Sequence, residues 1–246
     1  MSSTMDISRI LAQRGEPHGT VITADLQEAA RGRQGRPWVN DKGQNLMFTV
    51  LLRYADYDAI PRALTLKAGL AFSLALEDIF PALHRRIQVK WPNDIMLRTG
   101  EAFGKAAGIL AEAEGSVVFL GAGINLAQKE FPGELQHKAA SIINALEALD
   151  ENAFLPREVS DLLLERMLFR LFEELENLQY DESWKNELEK RLYKKGELVT
   201  FIDGKADSAK FIKGKLVGIG RGGELLLIPE GEWSARSFIT GELQLY

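Results

Sequence analysis

The hydrophobic positions of the chain alternate between helical and strand-like spacing up to about residue 192. Apolar residues at helical intervals predict helices over residues 6–14, 61–80, 156–178 and 181–192. Runs that are β-branched or almost continuously apolar predict six strands, over residues 19–25, 46–53, 87–90, 94–97, 106–112 and 116–125. Helices and strands interleaved in this way predict an α+β domain built on a buried sheet.

The pattern changes at about residue 193, where short β segments replace the helices. These segments cover residues 198–202, 209–218, 224–228, 232–238 and 242–246. Turn residues such as Asp203 and Gly204 separate them. We therefore predict two domains, a larger one over residues 1–192 and a small β-barrel over residues 193–246.

Composition excludes several classes of function. The net charge of −5 gives no electrostatic reason to expect general binding to nucleic acids. Cysteine is absent, which excludes disulfides, thiolate zinc sites and cysteine nucleophiles. The three histidines, His18, His84 and His137, lie far apart and lack the spacing of metal ligands. Because no segment resembles a signal peptide or is apolar for long enough to cross a bilayer, we expect a cytoplasmic protein.

A loop over residues 30–38, here called the glycine–arginine loop, has no apolar periodicity. It carries three arginines and two glycines and ends on a tryptophan: Arg31, Gly32, Arg33, Gly35, Arg36 and Trp38. Three solvated charges are the simplest interpretation, but interleaved glycines are unfavourable on a helix or strand and let backbone approach a ligand closely. Guanidinium groups bind phosphate or carboxylate oxygens through paired hydrogen bonds. The loop therefore predicts the mobile wall of an anion site.

A second motif, here called the lysine turn, follows an apolar strand and consists of Lys90, Trp91, Pro92, Asn93 and Asp94. A structural turn explains the last three residues without any ligand. It does not explain why a lysine and a tryptophan precede them. The motif therefore predicts that a cation and a carboxylate lie together at the end of the strand.

Two strand segments with glycines complete the candidate chemistry. Lys105 begins the apolar segment over residues 104–112, where a buried ammonium group is costly unless an anion meets it. Gly123 and Asn125 lie in the segment over residues 121–126, where glycine allows close approach and the amide can contact a ligand or metal. A glycine pair of this kind is weak evidence by itself.

In this order and at this separation, the four segments resemble those of the biotin protein ligase family. The lysine turn is the most specific, with five consecutive identities. The resemblance implies an α+β fold: a class II synthetase-like biotin/lipoate ligase catalytic domain with a mixed sheet, followed by a small SH3-like β-barrel. It implies an enzyme that activates biotin with ATP as biotinyl-5′-AMP, releases pyrophosphate, and transfers biotin to a lysine of a biotin carboxyl carrier domain.

The resemblance also implies roles for individual residues. The catalytic residues are Arg33, Lys90 and Lys105. The biotin-binding residues are Ser3, Thr4, Gln27, Arg31, Gly32, Arg33, Lys105 and Gly108. The nucleotide-binding residues are Arg33, Arg36, Trp38, Asn125 and Arg236. The cofactor is Mg²⁺, for which Asp94 is the candidate ligand.

Simpler interpretations exist for some of these residues. Ser3 and Thr4 equally suit the N-cap of the first helix, and a solvated side chain is the default for Gln27. Ala30 occupies the position at which the family usually has glycine, which narrows backbone freedom without removing a ligand contact. A lipoate– or octanoate–protein ligase of the same fold is the alternative function.

The resemblance also bears on partners. Relatives that repress transcription carry an N-terminal winged helix, whereas here the Ser3 and Thr4 motif begins at once, so we expect no binding to DNA. We expect no membrane partner, and we expect the protein to be a monomer or a homodimer. The expected macromolecular partner is a biotin carboxyl carrier protein or domain.

Overall fold

A six-stranded sheet forms the larger part of the molecule. The computed structural model describes residues 1–176, 183–204 and 210–244. The sheet has the order β1-β2-β6-β5-β4-β3, and every neighbouring pair is antiparallel. Its strands are β1 (Thr20–Thr23), β2 (Asn45–Arg53), β3 (Ile87–Lys90), β4 (Asp94–Thr99), β5 (Ala102–Glu114) and β6 (Val117–Asn125). We expected a mixed sheet, but parallel pairing occurs here as isolated bridges, such as that between Val89 and Leu192.

Helices cover both faces of this sheet. They are α1 (Thr4–Gln13), α2 (Leu64–Ile79), α3 (Ile142–Glu147), α4 (Val159–Glu176) and α5 (Ser183–Lys190). Strand β2 is apolar along its length because both of its faces are covered. Phe48 and Val50 pack in the core beneath α2 and α4, whereas Leu51 packs with Met5 of α1. Alternate side chains of a strand point to opposite faces, so a strand covered on both faces needs apolar residues at successive positions.

A second sheet follows the helices, as the change of pattern near residue 193 predicted. Its strands are β7 (Leu198–Asp203), β8 (Lys210–Ile219), β9 (Leu225–Pro229), β10 (Arg236–Phe238) and β11 (Glu242–Leu243). They pair antiparallel in the order β10-β9-β8-β7-β11. Closure of this sheet into an SH3-like barrel stays a prediction, as does the division into two domains.

One hydrophobic core joins the second sheet to the first part of the chain. Leu66 and Leu70 of α2 pack in the same cluster as Trp91, together with Phe201 and Leu216 of the second sheet. The indole Nε1 of Trp91 also donates a hydrogen bond of 2.9 Å to the carbonyl of Gly223. The tryptophan of the lysine turn is therefore an anchor between the two sheets.

The predicted elements are confirmed with shifted ends. Helix α2 begins at Leu64 because Ala63 before it has a left-handed backbone with φ of 58°. Strand β10 is shorter than predicted and begins at Arg236. Helix α3 was missed because it spans six residues, although Ser141 and Asn144 form a capping box at its start. Predictions for residues 177–178, 181–182, 209 and 245–246 lie outside the described residues.

No helix in the described part of the chain combines the length and the apolar character that crossing a membrane requires.

Candidate active site

A cavity of about 300 Å³ lies where α1, the glycine–arginine loop, the lysine turn and the centre of β5 and β6 meet. Thirteen of the predicted site residues line it: Ser3, Thr4, Gln27, Arg31, Gly32, Arg33, Arg36, Trp38, Lys90, Asp94, Lys105, Gly108 and Asn125. Residues as far apart in the sequence as Ser3 and Asn125 therefore converge on one cavity.

Arg236 is the predicted residue that the structure does not bring to the cavity. Its guanidinium Nη1 lies 3.4 Å from Glu232 Oε1, and its Cζ lies 5.5 Å from the ring centroid of Phe238. The second sheet instead reaches the cavity through Gly241 and Glu242, at the start of β11. The nucleotide-binding role of Arg236 stays a prediction.

The first turn of α1 supplies a buried polar end to the cavity. Ser3 is the N-cap, and its Oγ accepts a hydrogen bond of 3.2 Å from the backbone N–H of Met5. The backbone N–H of Thr4 donates a hydrogen bond of 2.7 Å to Gln27 Oε1. Gln27 is therefore buried rather than solvated, and the cap and ligand roles of Ser3 are compatible.

The glycine–arginine loop folds back on itself. The backbone N–H of Gly32 donates to the carbonyl of Arg36 over 2.8 Å, and that of Trp38 donates to the carbonyl of Ala30 over 3.0 Å. The tip is a tight turn in which Gln34 and Gly35 have φ of 58° and 71°. Ala30 is not one of the described non-glycine residues that have positive φ. Alanine therefore fits the position that the family usually gives to glycine.

Each arginine of the loop has an anionic or carbonyl partner rather than solvent alone. Arg31 binds Asp6 of α1, with Nη2 2.8 Å from Oδ1. Arg33 donates to the carbonyl of Gly241 over 3.2 Å. Arg36 binds Glu242 through two hydrogen bonds of 3.0 and 2.6 Å. The loop is thus tied to α1 on one side and to β11 on the other.

The electrostatics of this region follow from burial and pairing. Desolvation lowers the pKa of the Arg33 guanidinium. Burial alone would raise the pKa of the Glu242 carboxyl, but the hydrogen bonds and charge of Arg36, together with the charges of Lys90 and Arg33, outweigh it and lower that pKa. Glu242 was not predicted as a site residue because no sequence pattern links β11 with a loop 200 residues earlier.

The lysine turn places one carboxylate between two ammonium groups. Lys90 and Asp94 are opposed across the antiparallel pair of β3 and β4. Asp94 Oδ1 lies 2.7 Å from Lys105 Nζ, and Asp94 Oδ2 lies 3.8 Å from Lys90 Nζ. Lys90 is 1% exposed, and desolvation lowers its pKa although Asp94 opposes that shift. With Arg33 nearby, the cluster carries an excess of positive charge that a ligand anion can neutralise.

A β-bulge aims Lys105 at this cluster. In the pairing of β4 with β5, Ile95 is opposite Ala107 but Met96 is opposite Lys105, so Ala106 is an extra residue. In a regular strand, residues three positions apart point to opposite faces. Here a Cβ built on Gly108 would lie 3.2 Å from Lys105 Nζ. The bulge therefore brings Lys105 to the face of Gly108.

Glycines of β5 and β6 make room for the indole of Trp38. A Cβ on Gly108 would lie 3.0 Å from Trp38 Cζ3, and one on Gly123 would lie 2.8 Å from Trp38 Cε2. Lys105 Nζ lies 5.4 Å from the indole centroid. The resemblance assigns Gly108 to biotin binding, and in this structure the space beside Gly108 borders Trp38. The indole is thus a wall between the loop and the sheet.

Asn125 lines the cavity, but its amide is held by the protein. Its Nδ2 donates a hydrogen bond of 3.0 Å to the carbonyl of Ala140, and its Oδ1 accepts one of 3.0 Å from Asn45 Nδ2. The residue therefore connects β2, β6 and the segment before α3. Its predicted contact with a nucleotide stays a prediction.

Sequence reasoning also missed the apolar wall of the cavity. Met5, Met47, Phe48, Ile109 and Leu110 line it. Their helical and strand periodicity marks them as buried, but periodicity does not show whether a buried residue borders a cavity or fills a core. The cavity therefore combines an apolar wall, a polar end and a cationic side.

The fold and the cavity together define an α+β domain whose cavity offers an apolar wall and a cationic side to a small molecule. The chain belongs to the Biotin/lipoate A/B protein ligase family, whose family model matches residues 1–127.

Curated relatives support this assignment. The bifunctional ligase/repressor BirA of Bacillus subtilis is 34% identical over 152 residues, which is 59% of this chain and 45% of that protein. The biotin–[acetyl-CoA-carboxylase] ligase of Mycobacterium tuberculosis is 32% identical over 163 residues, or 65% of this chain and 59% of that protein. The matched region thus spans about half of the length of these relatives.

The fold has a close counterpart among solved structures. The biotin protein ligase from Aquifex aeolicus, solved in complex with biotin and ATP, superposes with a TM-score of 0.77 at 28% identity. The match covers 100% of this chain and 95% of that one. The second sheet is therefore part of the shared architecture.

Proposed function

We propose that this protein is a biotin–[acetyl-CoA-carboxylase] ligase, which activates biotin with ATP as biotinyl-5′-AMP and transfers it to a lysine of a biotin carboxyl carrier domain. The observation that carries the proposal is the cluster of Arg33, Lys90 and Lys105 beside a cavity with a buried polar end. Relatives named as biotin ligases, and a structural counterpart holding biotin and ATP, support the same activity.

The first half-reaction joins two anions. A carboxylate oxygen of biotin attacks the α-phosphorus of ATP, and the bond from that phosphorus to the bridging oxygen breaks, so that pyrophosphate leaves. Arg33, Lys90 and Lys105 reduce the repulsion between carboxylate and phosphate and stabilise the charge that develops at phosphorus. Carboxylate is a poor acylating agent until AMP gives it a good leaving group.

The second half-reaction needs no nucleophile from this chain, which agrees with the absence of cysteine. The amine of the acceptor lysine attacks the acyl carbon, the bond from that carbon to the phosphate oxygen breaks, and AMP leaves. The proton that the amine loses as the amide forms passes to the departing AMP phosphate or to water. The glycine–arginine loop, held by Asp6 and Glu242 at its two sides, excludes water that would hydrolyse the mixed anhydride.

Magnesium belongs to this proposal as a companion of the nucleotide. No group of three or more candidate ligands occurs in the part of the chain that the structure describes, and Asp94 lies between two lysines. This donor set fits Mg²⁺ that is held mainly by phosphate oxygens, with Asp94 as one protein ligand. When bound, Mg²⁺ neutralises charge on the phosphates.

The polar end of the cavity favours biotin over the alternative substrates. Thr4 and Gln27 offer a hydroxyl and an amide at a buried position. The ureido group of biotin has both donors and acceptors for them, whereas the hydrocarbon tail of octanoate has neither and would leave the N–H donors of the Gln27 amide unpaired.

A pyrophosphate–ATP exchange assay tests the function. We expect label exchange that depends on biotin and Mg²⁺, with little exchange when lipoate or octanoate replaces biotin. Lys105→Ala should lower kcat/KM for adenylate formation by more than tenfold, about 1.4 kcal/mol of transition-state stabilisation. Exchange with lipoate that equals or exceeds exchange with biotin would overturn the assignment.

A further inference from the structure

Thr49 lies in the middle of β2 and is 0% exposed, outside the residues that line the cavity. Its Oγ1 lies 2.8 Å from Thr4 Oγ1, which in turn lies 3.2 Å from Gln27 Oε1. Thr4 and Gln27 are themselves more than nine-tenths buried. Three polar side chains thus form a chain of hydrogen bonds from the interior of the sheet to the polar end of the cavity.

The orientation of the Gln27 amide follows from its contact with backbone. The N–H of Thr4 can only donate, so the atom of Gln27 that lies 2.7 Å from it must be the oxygen. The Asn40 side chain holds the backbone of Gln27 through two hydrogen bonds of 3.0 Å: its Oδ1 accepts from the Gln27 N–H, and its Nδ2 donates to the Gln27 carbonyl. The amide nitrogen Nε2 makes no hydrogen bond with the described residues, so both of its donors remain available at the cavity.

The direction of the hydroxyl bonds follows from the amide. Since Gln27 Oε1 can only accept, the Thr4 hydroxyl donates its single proton to it. The oxygen of Thr4 then faces Thr49 with a lone pair, and the Thr49 hydroxyl must be the donor. This is the arrangement in which both oxygen–oxygen contacts are hydrogen bonds.

We propose that Thr49 is a positioning residue: by donating to the Thr4 oxygen, it holds the Thr4 hydroxyl in the orientation in which Thr4 donates to Gln27, so that Gln27 presents N–H donors at the polar end and Thr4 presents an acceptor. The ligand edge that fits has a carbonyl oxygen next to an N–H group, which is the edge of a urea. This inference rests on the proposed function and deepens it, because it assigns the recognition of the ureido group partly to a residue beyond the cavity lining.

The test compares variants that remove or keep the Thr49 hydroxyl. Thr49→Val keeps the volume of the side chain and removes the hydroxyl donor. Thr49→Ala removes the hydroxyl without placing a methyl group against Thr4. Thr49→Ser keeps the hydroxyl. We expect the first two to weaken biotin binding, measured by calorimetry, on the order of tenfold. Thr49→Ser should bind within about twofold of the wild type, and KM for ATP should stay unchanged in all three.

A matched control and a double variant separate positioning from general damage. Ser73→Ala in α2 removes another fully buried hydroxyl, which donates over 2.7 Å to the carbonyl of Gly69 away from the cavity. It should leave biotin affinity unchanged. If Thr49 acts through Thr4, then Thr49→Val should add no further loss to a Thr4→Ala background.

The outcomes distinguish this inference from the proposed function. A wild-type protein that fails to bind biotin would overturn the function itself. A wild-type protein that binds biotin, with Thr49→Val and Thr49→Ala equal to it in affinity, would overturn only the role of Thr49. A full additional loss in the Thr4→Ala background, or an equal rise in KM for ATP, would likewise show that Thr49 is a structural residue.

Discussion

The burial of a single residue, Lys90, lowers the stability of the folded protein. Its side chain is almost fully buried, and its partner Asp94 is shared with the closer Lys105. A buried cation whose counter-ion lies 3.8 Å away and is also claimed by another lysine recovers only part of its lost hydration. The residue is therefore best explained by the anion that the site receives during the reaction.

We expect Lys90→Met to raise the free energy of unfolding by about 1 kcal/mol or more while abolishing adenylate formation. Methionine has a similar length and needs no counter-ion, and Asp94 keeps Lys105 as its partner. Denaturant unfolding and pyrophosphate exchange measure the two effects. Lys213→Met, which changes an exposed lysine of β8, is the control and should alter neither.

The pH dependence of this difference has a definite sign. Because burial lowers the pKa of Lys90 in the folded protein, the unfolded chain binds more protons between the folded value and the ordinary value of about 10.4. Wild-type stability therefore gains from rising pH in that window, and Lys90→Met does not. The stability advantage of the variant should shrink as pH approaches 10.4; an advantage that is constant up to that pH would contradict this explanation.

Most of the polar and charged residues that line the cavity could be predicted from the sequence, and the exceptions have a physical reason. Arg33, Lys90 and Lys105 belong to segments in which their neighbours make a solvated role costly, so local sequence identifies them. Glu242 reaches Arg36 only because β11 pairs with β7. Such a contact depends on how two sheets pack, and the short segment around Arg236 could not indicate that Arg236 would lie elsewhere.

At the scale of the element, the sequence predicted strands but not their irregularities. Residues 106–112 are apolar enough to indicate a strand, and β5 indeed contains them. The bulge at Ala106 has no signature, because alanine occurs at both regular and bulged positions. The face on which Lys105 lies could therefore not be derived from alternation along the strand.

Gly123→Ala should disturb the wall that Trp38 forms. The new Cβ would lie 2.8 Å from Trp38 Cε2, which is closer than van der Waals contact, so the indole must shift. We expect a loss of about 1–3 kcal/mol in unfolding free energy and a change in tryptophan fluorescence. Trp38→Ala removes the atoms that would clash with the new Cβ. The Gly123→Ala/Trp38→Ala variant should therefore lose less unfolding free energy than the two single variants lose in sum. Losses that add strictly would disprove the contact.

Ala30→Gly should weaken the ordered loop. Since Ala30 does not have positive φ, glycine relieves no strain and only widens the range of conformations open to the disordered loop. Binding of a nonhydrolysable biotinyl-adenylate analogue should weaken by up to about 1 kcal/mol, mainly through faster dissociation. Tighter binding by the glycine variant would mean that alanine restrains closure. Hydrogen exchange across residues 30–38, slowed by the analogue, is the accompanying measurement.

At the scale of the whole molecule, the change of pattern near residue 193 located the second sheet but did not show how the two sheets depend on each other. Leu66, Leu70 and Trp91 share a core with side chains of the second sheet. Periodicity shows that a residue is buried but not which element buries it. The predicted boundary is therefore a boundary in sequence pattern.

A chain ending at residue 192 tests this dependence. It would expose the apolar side chains that now pack against the second sheet, among them Trp91 and Leu70. We expect this fragment to lose the cooperative unfolding transition of the full chain and to bind hydrophobic dyes. A fragment with a sharp transition and native-like near-UV circular dichroism would show instead that residues 1–192 fold alone.

The hydrogen bond from Trp91 to Gly223 has a consequence for how such proteins can change over generations. A crossover near residue 193 between two diverged genes would join half of a core from one parent to half from the other. The indole of Trp91 and the guanidinium of Arg36 would then meet partners from the other parent, whose backbone and side chains had diverged separately. Recombinants cut at that point should therefore be rare among functional descendants, and the two parts should be inherited together.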